Sequence, residues 1–209
     1  MNLGRVACAA LSAFVLLPLP PAEERGAAPE RKGPFAIACS FSDFHFGVTH
    51  LFMSDALHIF TDGSFDDATR SGGWAFVVHE EGGQVHCASG KTFGTSNNTF
   101  EVLAVLNAMS WIAAEAPTRT ATLWTDAVHV IEGCRRYRAI WRNNGWKRIT
   151  PNQRTRRRPI PDKEIWQQLD NLLERHPHVA VEWCKGHSGT AGNEHADALA
   201  RGVARTMAT

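Results

Sequence analysis

Residues 183–200 read WCKGHSGTAGNEHADALA: the end of an apolar strand, a glycine-rich turn, then a helix. Its acids and histidines fall where an amphipathic helix should begin. His187 stands in the turn, Asn193 and Glu194 open the helix, and Asp197 lies four residues after Asn193, so Asn193 and Asp197 share a face. A solvated helix face explains one acid there. It does not explain why a histidine-bearing glycine loop should precede it.

Outward from this stretch the periodicity becomes regular. HVAVEW (178–183) is a strand, preceded by a helix from about Asp162 to Arg175, and the terminal helix runs from Gly192 or Asn193 to near Arg205. TATLWTD (120–126) is a strand followed by a short helix from about Ala127 to Cys134. NNTFEVLAVLNAMSWIAAEAP (97–117) has helical period, with Phe100, Leu103, Ala104, Ala108, Trp111 and Ile112 on one stripe and Pro117 closing it. LHIFTD (57–62), GGWAFVVHE (72–80) and QVHCASGKTF (84–93) read as three strands of an antiparallel meander, with a turn at Gly82–Gly83. Three strands, a helix and two strand–helix units predict an α/β fold, a mixed sheet with helices on its faces.

Four acids occupy positions where this architecture gathers groups. Asp62 lies in or just after the first strand, where Asp-Gly also fits a turn. Glu101 is placed in the first turn of the long helix, where the dipole favours an acid. Asp126 ends the fourth strand, either as a helix cap or at the carboxyl edge where open sheets bind ligands. Asp197 is the fourth. If the first and fourth strands are neighbours, Asp62 and Asp126 meet and the helical acids reach over them. Like charges at about 4 Å repel by about 4 kcal/mol per pair at an effective dielectric of about 20, so the set needs a cation or shifted pKa values. Hard oxygen donors without cysteine imply Mg²⁺ or Mn²⁺ rather than zinc. A zinc site from His176, His178, Cys184 and His187 has acceptable donor types but no paired spacing.

IFTDGS, SNNTFE, LWTDA, a GW before a basic loop, and WCKGHSGTAGNEHADALA occur in this order. Together they resemble a type 1 ribonuclease H over about residues 56–206. The resemblance implies a ribonuclease H-like fold: a five-stranded mixed sheet with strands one to three antiparallel, four and five parallel to one, and helices on both faces. It implies an endonuclease cutting the RNA strand of RNA/DNA hybrids, leaving 5′-phosphate and 3′-hydroxyl ends. Carried over, the metal-binding acids are Asp62, Glu101, Asp126 and Asp197, with His187 on a mobile loop assisting proton transfer or product release. In-line hydrolysis of a phosphodiester suits two Mg²⁺ ions about 4 Å apart, with Mn²⁺ as a substitute. Ala127 departs from the family pattern, which has serine after the third acid.

The same resemblance makes Gly63, Ser64, Asn97 and Asn98 candidates for reading the RNA 2′-hydroxyl, Ser96 for a DNA phosphate pocket, and Asn193 for substrate contact. SNNT before a helix serves equally well as capping. YRAIWRNNGWKR (137–148) resembles the family's basic protrusion, so Tyr137, Trp141, Arg142, Trp146 and Lys147 are candidates for gripping the DNA strand, with core tryptophans as the bland alternative. The later RTRRRP (154–159) extends this into a proline-flanked loop. Another nuclease of the same fold acting on DNA, or a noncatalytic hybrid-binding module, are the competing functions.

Composition fits one domain. The 209 residues carry a formal charge of only +1, but 135–163 holds eleven basic residues against the single acid Asp162, a local charge of +10. Binding to nucleic acid through such a patch is steeply salt-dependent. Five widely spaced cysteines without a CxxC pair argue against a disulfide framework or zinc knuckle and for a cytoplasmic domain. Residues 1–52 read as a poorly ordered extension: the apolar run 6–17 is too short for a bilayer span and resembles a signal segment, leaving export or organelle targeting as an alternative. A dispensable tail with Met53 as the working start is the other reading. The catalytic domain is placed at 53–209, with no membrane segment and a monomer expected.

Overall fold

The computed structural model describes residues 9–10, 56–152 and 154–206. The expectations for the rest of 1–52, including its signal-like run, and for Met53 lie outside the described residues. The elements are β1 (Ala9–Ala10), β2 (Leu57–Asp66), β3 (Ser71–Glu80), β4 (Gly83–Phe93), α1 (Asn97–Glu115), β5 (Ala121–Thr125), α2 (Val128–Glu132), a π-helical segment (Gly133–Tyr137), α3 (Arg138–Asn143), α4 (Lys163–Arg175), β6 (Val179–Trp183) and α5 (Ala191–Arg205). The sheet order is β1-β4-β3-β2-β5-β6. The five expected strands are β2 to β6: β2–β3 and β3–β4 pair antiparallel, β2–β5 and β5–β6 parallel. Two residues of β1 add a sixth, parallel to β4 through Ala9↔Ala88 and Ala10↔Ser89.

Strand alternation divides the core into two layers. Leu57, Ile59, Phe76, Val78 and Ala88 join the cluster that holds Val105, Met109 and Ile112 of α1. Their neighbours Val77, Cys87 and Phe60 pack with Ala196 and Leu199 of α5. Successive side chains point to opposite faces, so α1 and α5 cover the two sides of one sheet.

Three expectations change. The stripe on α1 is too narrow: Val102, Val105, Leu106 and Met109 are also buried, because α1 packs on the sheet and on α4 together. Glu101 is in the second turn, and no acid occupies the first, so the helix dipole is not its reason. The short helix after β5 does not stop at Cys134 but continues through the π-helical segment into α3, ending at Asn143. Cys134 and Cys184 are free thiols.

Candidate active site

Asp62 is inside β2, paired with Ala75 across the antiparallel ladder. It therefore belongs to a strand and not to a turn. On its other side β2 runs parallel to β5 through Phe60↔Trp124, and Thr61 Oγ1 donates to the Trp124 carbonyl at 3.2 Å. This register brings Asp126, the residue after β5, alongside Asp62. Asp126 does not cap α2; its N-cap is Ala127, whose N–H donates to Thr125 Oγ1 at 3.2 Å.

Glu101 reaches the same place because α1 lies almost on β2. A side chain at Gly63 would collide with the backbone of Phe100 and Glu101, so only glycine permits this approach. The Gly63 N–H then donates to both Asp62 Oδ1 (2.8 Å) and Glu101 Oε2 (3.1 Å), and Asn97 Nδ2 donates to Glu101 Oε1 at 3.0 Å. Oxygens of Asp62, Glu101 and Asp126 all lie within 4.8 Å of one another, the one such metal-ligating group among the described residues. The zinc alternative at His176, His178, Cys184 and His187 is therefore not assembled.

Asp62 is 6% and Glu101 7% exposed, and among the described residues no ion pair reaches either of them or Asp126. Burial, followed by the charge of Asp126, pushes the Asp62 carboxyl up to about 8. Burial, followed by the charges of Asp62 and Asp126, pushes Glu101 up to about 9. Buried carboxylates held together without a cationic side chain form an all-oxygen donor set that fits a hard divalent cation. Asp197 stands beside this trio: it reaches the Asp62 carboxyl, and its Oδ1 accepts from Arg201 Nε at 2.7 Å.

The loop before α5 closes the edge of the site. A Cβ on Gly186 would land on Asp126 Oδ2, so this glycine is required for close approach. His187 is exposed and itself left-handed at φ 50°. Ser188 Oγ donates to the Lys185 carbonyl at 2.7 Å and the Gly189 N–H to Glu194 Oε1 at 3.0 Å, which ties the loop to α5.

The substrate candidates divide. Ser64 is half-exposed, and Asn97 and Asn98 are exposed beside the acids. Ser96 is the N-cap of α1 by position but makes no side-chain cap bond, so capping does not account for its hydroxyl. Asn193 is 1% exposed and accepts from the Cys184 thiol at 3.4 Å; burial removes it from direct substrate contact. Trp146 is 9% exposed and lies in the main core with Ile160 and Trp166, so it is not a surface contact. Trp141 stacks on Tyr137 (5.6 Å, 21°) and meets Trp166 edge-on (5.1 Å, 62°).

Arg142 pairs with Asp170 and Glu174, Arg138 with Asp170, Arg135 with Glu182 and Arg136 with Glu132. Within 135–158, the cations without an acidic partner among the described residues are Lys147, Arg148, Arg154, Arg156, Arg157 and Arg158. They form a loop closed by the Lys147↔Pro159 bridge and the Arg148 N–H to Arg158 carbonyl bond, over a cleft of about 710 Å³ lined also by Ile140 and Ile149.

Residues 54–205 match the RNase H family model. The chain belongs to the type 1 ribonuclease H family. Ribonuclease H of Pseudomonas fluorescens is 34% identical over 152 residues, covering 72% of this chain and 94% of that protein. Ribonuclease H of Mesorhizobium japonicum is 36% identical over 149 residues, covering 71% and 78%. Among solved structures, LC9-RNase H1, described as a type 1 RNase H with the type 2 active-site motif, aligns with TM-score 0.60 at 24% identity over 71% of this chain and 72% of its own. A foamy viral protease-reverse transcriptase in complex with RNA/DNA hybrid aligns with TM-score 0.61 at 19% identity, over 83% of this chain and 22% of its own. These structures establish the ribonuclease H fold, and family membership makes the chain an endoribonuclease. Sequence reasoning overlooked Gly186 as a contact of Asp126 and Arg201 as the partner of Asp197, although an Asp–Arg pair at i,i+4 is a legible helix signal.

Proposed function

We propose that this ribonuclease H hydrolyses the RNA strand of RNA/DNA hybrids, leaving 5′-phosphate and 3′-hydroxyl ends. The observation that carries this reading is the Asp62–Glu101–Asp126 group, two buried carboxylates and one half-buried one that converge with no cationic side chain among the described residues to balance them. When bound there, two Mg²⁺ ions, or Mn²⁺ in their place, would supply charge to the scissile phosphate and acidity to the attacking water. The chain's own part is to hold the acceptors. Gly63 N–H fixes one oxygen each of Asp62 and Glu101, Asn97 fixes the other Glu101 oxygen, and Gly186 limits where Asp126 turns. Asp197 is the fourth acid, and exposed His187 moves a proton at the departing 3′ oxygen or aids product release. Ser64, Ser96, Asn97 and Asn98 contact the hybrid; Lys147 and the unpaired arginines of 148–158 give the DNA backbone its cationic surface, with Tyr137 packing against it. We assign the domain to the cytoplasm as a monomer; no helix among the described residues is long and apolar enough to cross a membrane.

Cleavage of a labelled hybrid in Mg²⁺, beside single-stranded RNA, double-stranded RNA and double-stranded DNA, tests this. Hybrid-only cutting is expected, and Asp62→Asn lowers kcat by about 10³-fold or more. A hybrid that binds but stays whole would overturn the catalytic reading in favour of a binding module.

A further inference from the structure

SNNT (96–99) opens α1, and Asp162, the single acid of the basic segment 135–163, stands just before α4. An aspartate before a helix ordinarily caps it. Asp162 holds the N-cap position of α4 in a left-handed backbone, φ 52°, yet makes no side-chain cap bond there. Its carboxylate is turned to α1 instead, where Oδ1 accepts from the buried Thr99 Oγ1 at 3.1 Å. Because α1 has no acid in its own first turn, Asp162 supplies from another helix the negative charge that a helix start favours.

This bond orients a row of hydroxyls. A hydroxyl has one proton and a carboxylate can only accept, so the Thr99 proton belongs to Asp162. In its contacts with Thr95 Oγ1 (3.2 Å) and Ser96 Oγ (3.4 Å), Thr99 is therefore the acceptor, and both neighbours give it their protons. A phosphate oxygen is also an acceptor, and to reach Ser96 it must draw that proton away from Thr99 with a carboxylate close behind. Among the described residues no ion pair reaches Asp162. His129 does not supply the missing charge either: burial lowers its imidazole more than the Asn98 bond and the Asp162 charge raise it, so it is neutral at neutral pH.

We propose that Asp162 is a specificity-determining residue that competes with a DNA phosphate for the Ser96 hydroxyl at the start of α1, and so weakens this contact with the hybrid. This rests on the hybrid-binding reading of Ser96. Asparagine at the same place tolerates the left-handed backbone, removes the charge, and can donate through Nδ2 to Thr99, which releases the row of hydroxyl protons towards the phosphate.

The test is hybrid binding by fluorescence anisotropy, with Ca²⁺ in place of Mg²⁺, for the full chain as wild type and as Asp162→Asn. The variant is expected to bind about three- to tenfold more tightly at low salt, and the gain should shrink as salt is added. A series of hybrids, each with one DNA phosphate replaced by a neutral methylphosphonate, then locates the competitor: at one position the gain should fall below about twofold, and at the others it should persist. Affinity unchanged by Asp162→Asn while wild type binds saturably would overturn the competition alone. Weaker binding would overturn it too, showing that Asp162 supports the contact by holding Thr99. A gain that survives every methylphosphonate would reduce Asp162 to a diffuse charge effect and overturn the competition for one phosphate. No saturable binding by wild type would overturn the hybrid-binding reading itself, and the competition with it.

Discussion

The acidic cluster and the basic segment 135–158 are built on opposite rules. In the first, Asp62 and Glu101 are buried together with no cationic partner among the described residues. In the second, the charges are mostly exposed, yet Arg135, Arg136, Arg138 and Arg142 are all paired with acids of α2, α4 or β6. Counting charge along the chain overstates what the basic helix offers a phosphate and understates what the acids demand. An unsatisfied buried group is costly and must have a use, whereas an exposed one is readily neutralised by a neighbour.

The aromatic residues inside the basic segment give the largest contrast. Trp146 adopts a left-handed φ of 60°, its N–H donates to the Trp141 carbonyl at 2.7 Å, and its own carbonyl accepts from Ile160 N–H at 3.0 Å. It anchors both ends of the basic loop in the core. Trp146→Ala should therefore cost about 3–5 kcal/mol of stability, read by urea unfolding. A drop under about 1 kcal/mol, with weakened hybrid binding instead, would return this residue to the surface and erase the distinction between the two regions.

At the acidic cluster the corresponding effect depends on pH. Asp62 and Glu101 have carboxyls raised to about 8 and about 9 in the folded chain, against ordinary values of 3.8 and 4.5. The folded state therefore binds more protons than the unfolded one between those limits, and stability falls as pH rises from about 4 towards 9. In EDTA the unfolding temperature should be lower at pH 9 than at pH 6, and saturating Mg²⁺ should remove most of the difference. Asp62→Asn keeps an acceptor for Gly63 N–H but discards the charge, so it should stabilise the metal-free protein at pH 7 by on the order of 2 kcal/mol. Calorimetry showing equal stability at both pH values would mean that the acids carry no burden for a cation to relieve.

How legible each region was follows from the same physics. Sheet order and the meeting of Asp62 with Asp126 could be read because strand period and βα alternation leave few topologies. Glu101 was legible as a site residue but not as a second-turn residue, since helix starts are the least certain boundaries and Ser96 offers no side-chain cap. The helix continuing through Gly133–Tyr137 was hidden by its glycine, which is there because the ring of Trp166 leaves no space for a side chain. Trp146 was misplaced because basic neighbours at 147 and 148 suggest a surface, while its burial depends on Ile160 and Trp166, fourteen and twenty residues away in sequence. Pairings such as Arg142 with Glu174 are tertiary, and no local pattern carries them.

The smallest effect separates the paired arginines from the unpaired ones. Replacing Arg148, Arg156 and Arg157 together by Ser should leave stability within about 0.5 kcal/mol, because they meet no acid among the described residues. It should nevertheless reduce the slope of log binding constant against log salt by about 0.9 for each phosphate that the loop no longer neutralises, read by fluorescence anisotropy on a labelled hybrid with Ca²⁺. Arg142→Gln should do the reverse. Its guanidinium already satisfies Asp170 and Glu174 across α3 and α4, so stability falls by up to about 1 kcal/mol, discounted for its exposure, while the salt slope hardly changes. If instead Arg142→Gln lowers the slope and the triple variant does not, the ion pairs to α4 open on binding, and the helix, not the loop, is the surface that meets the phosphates.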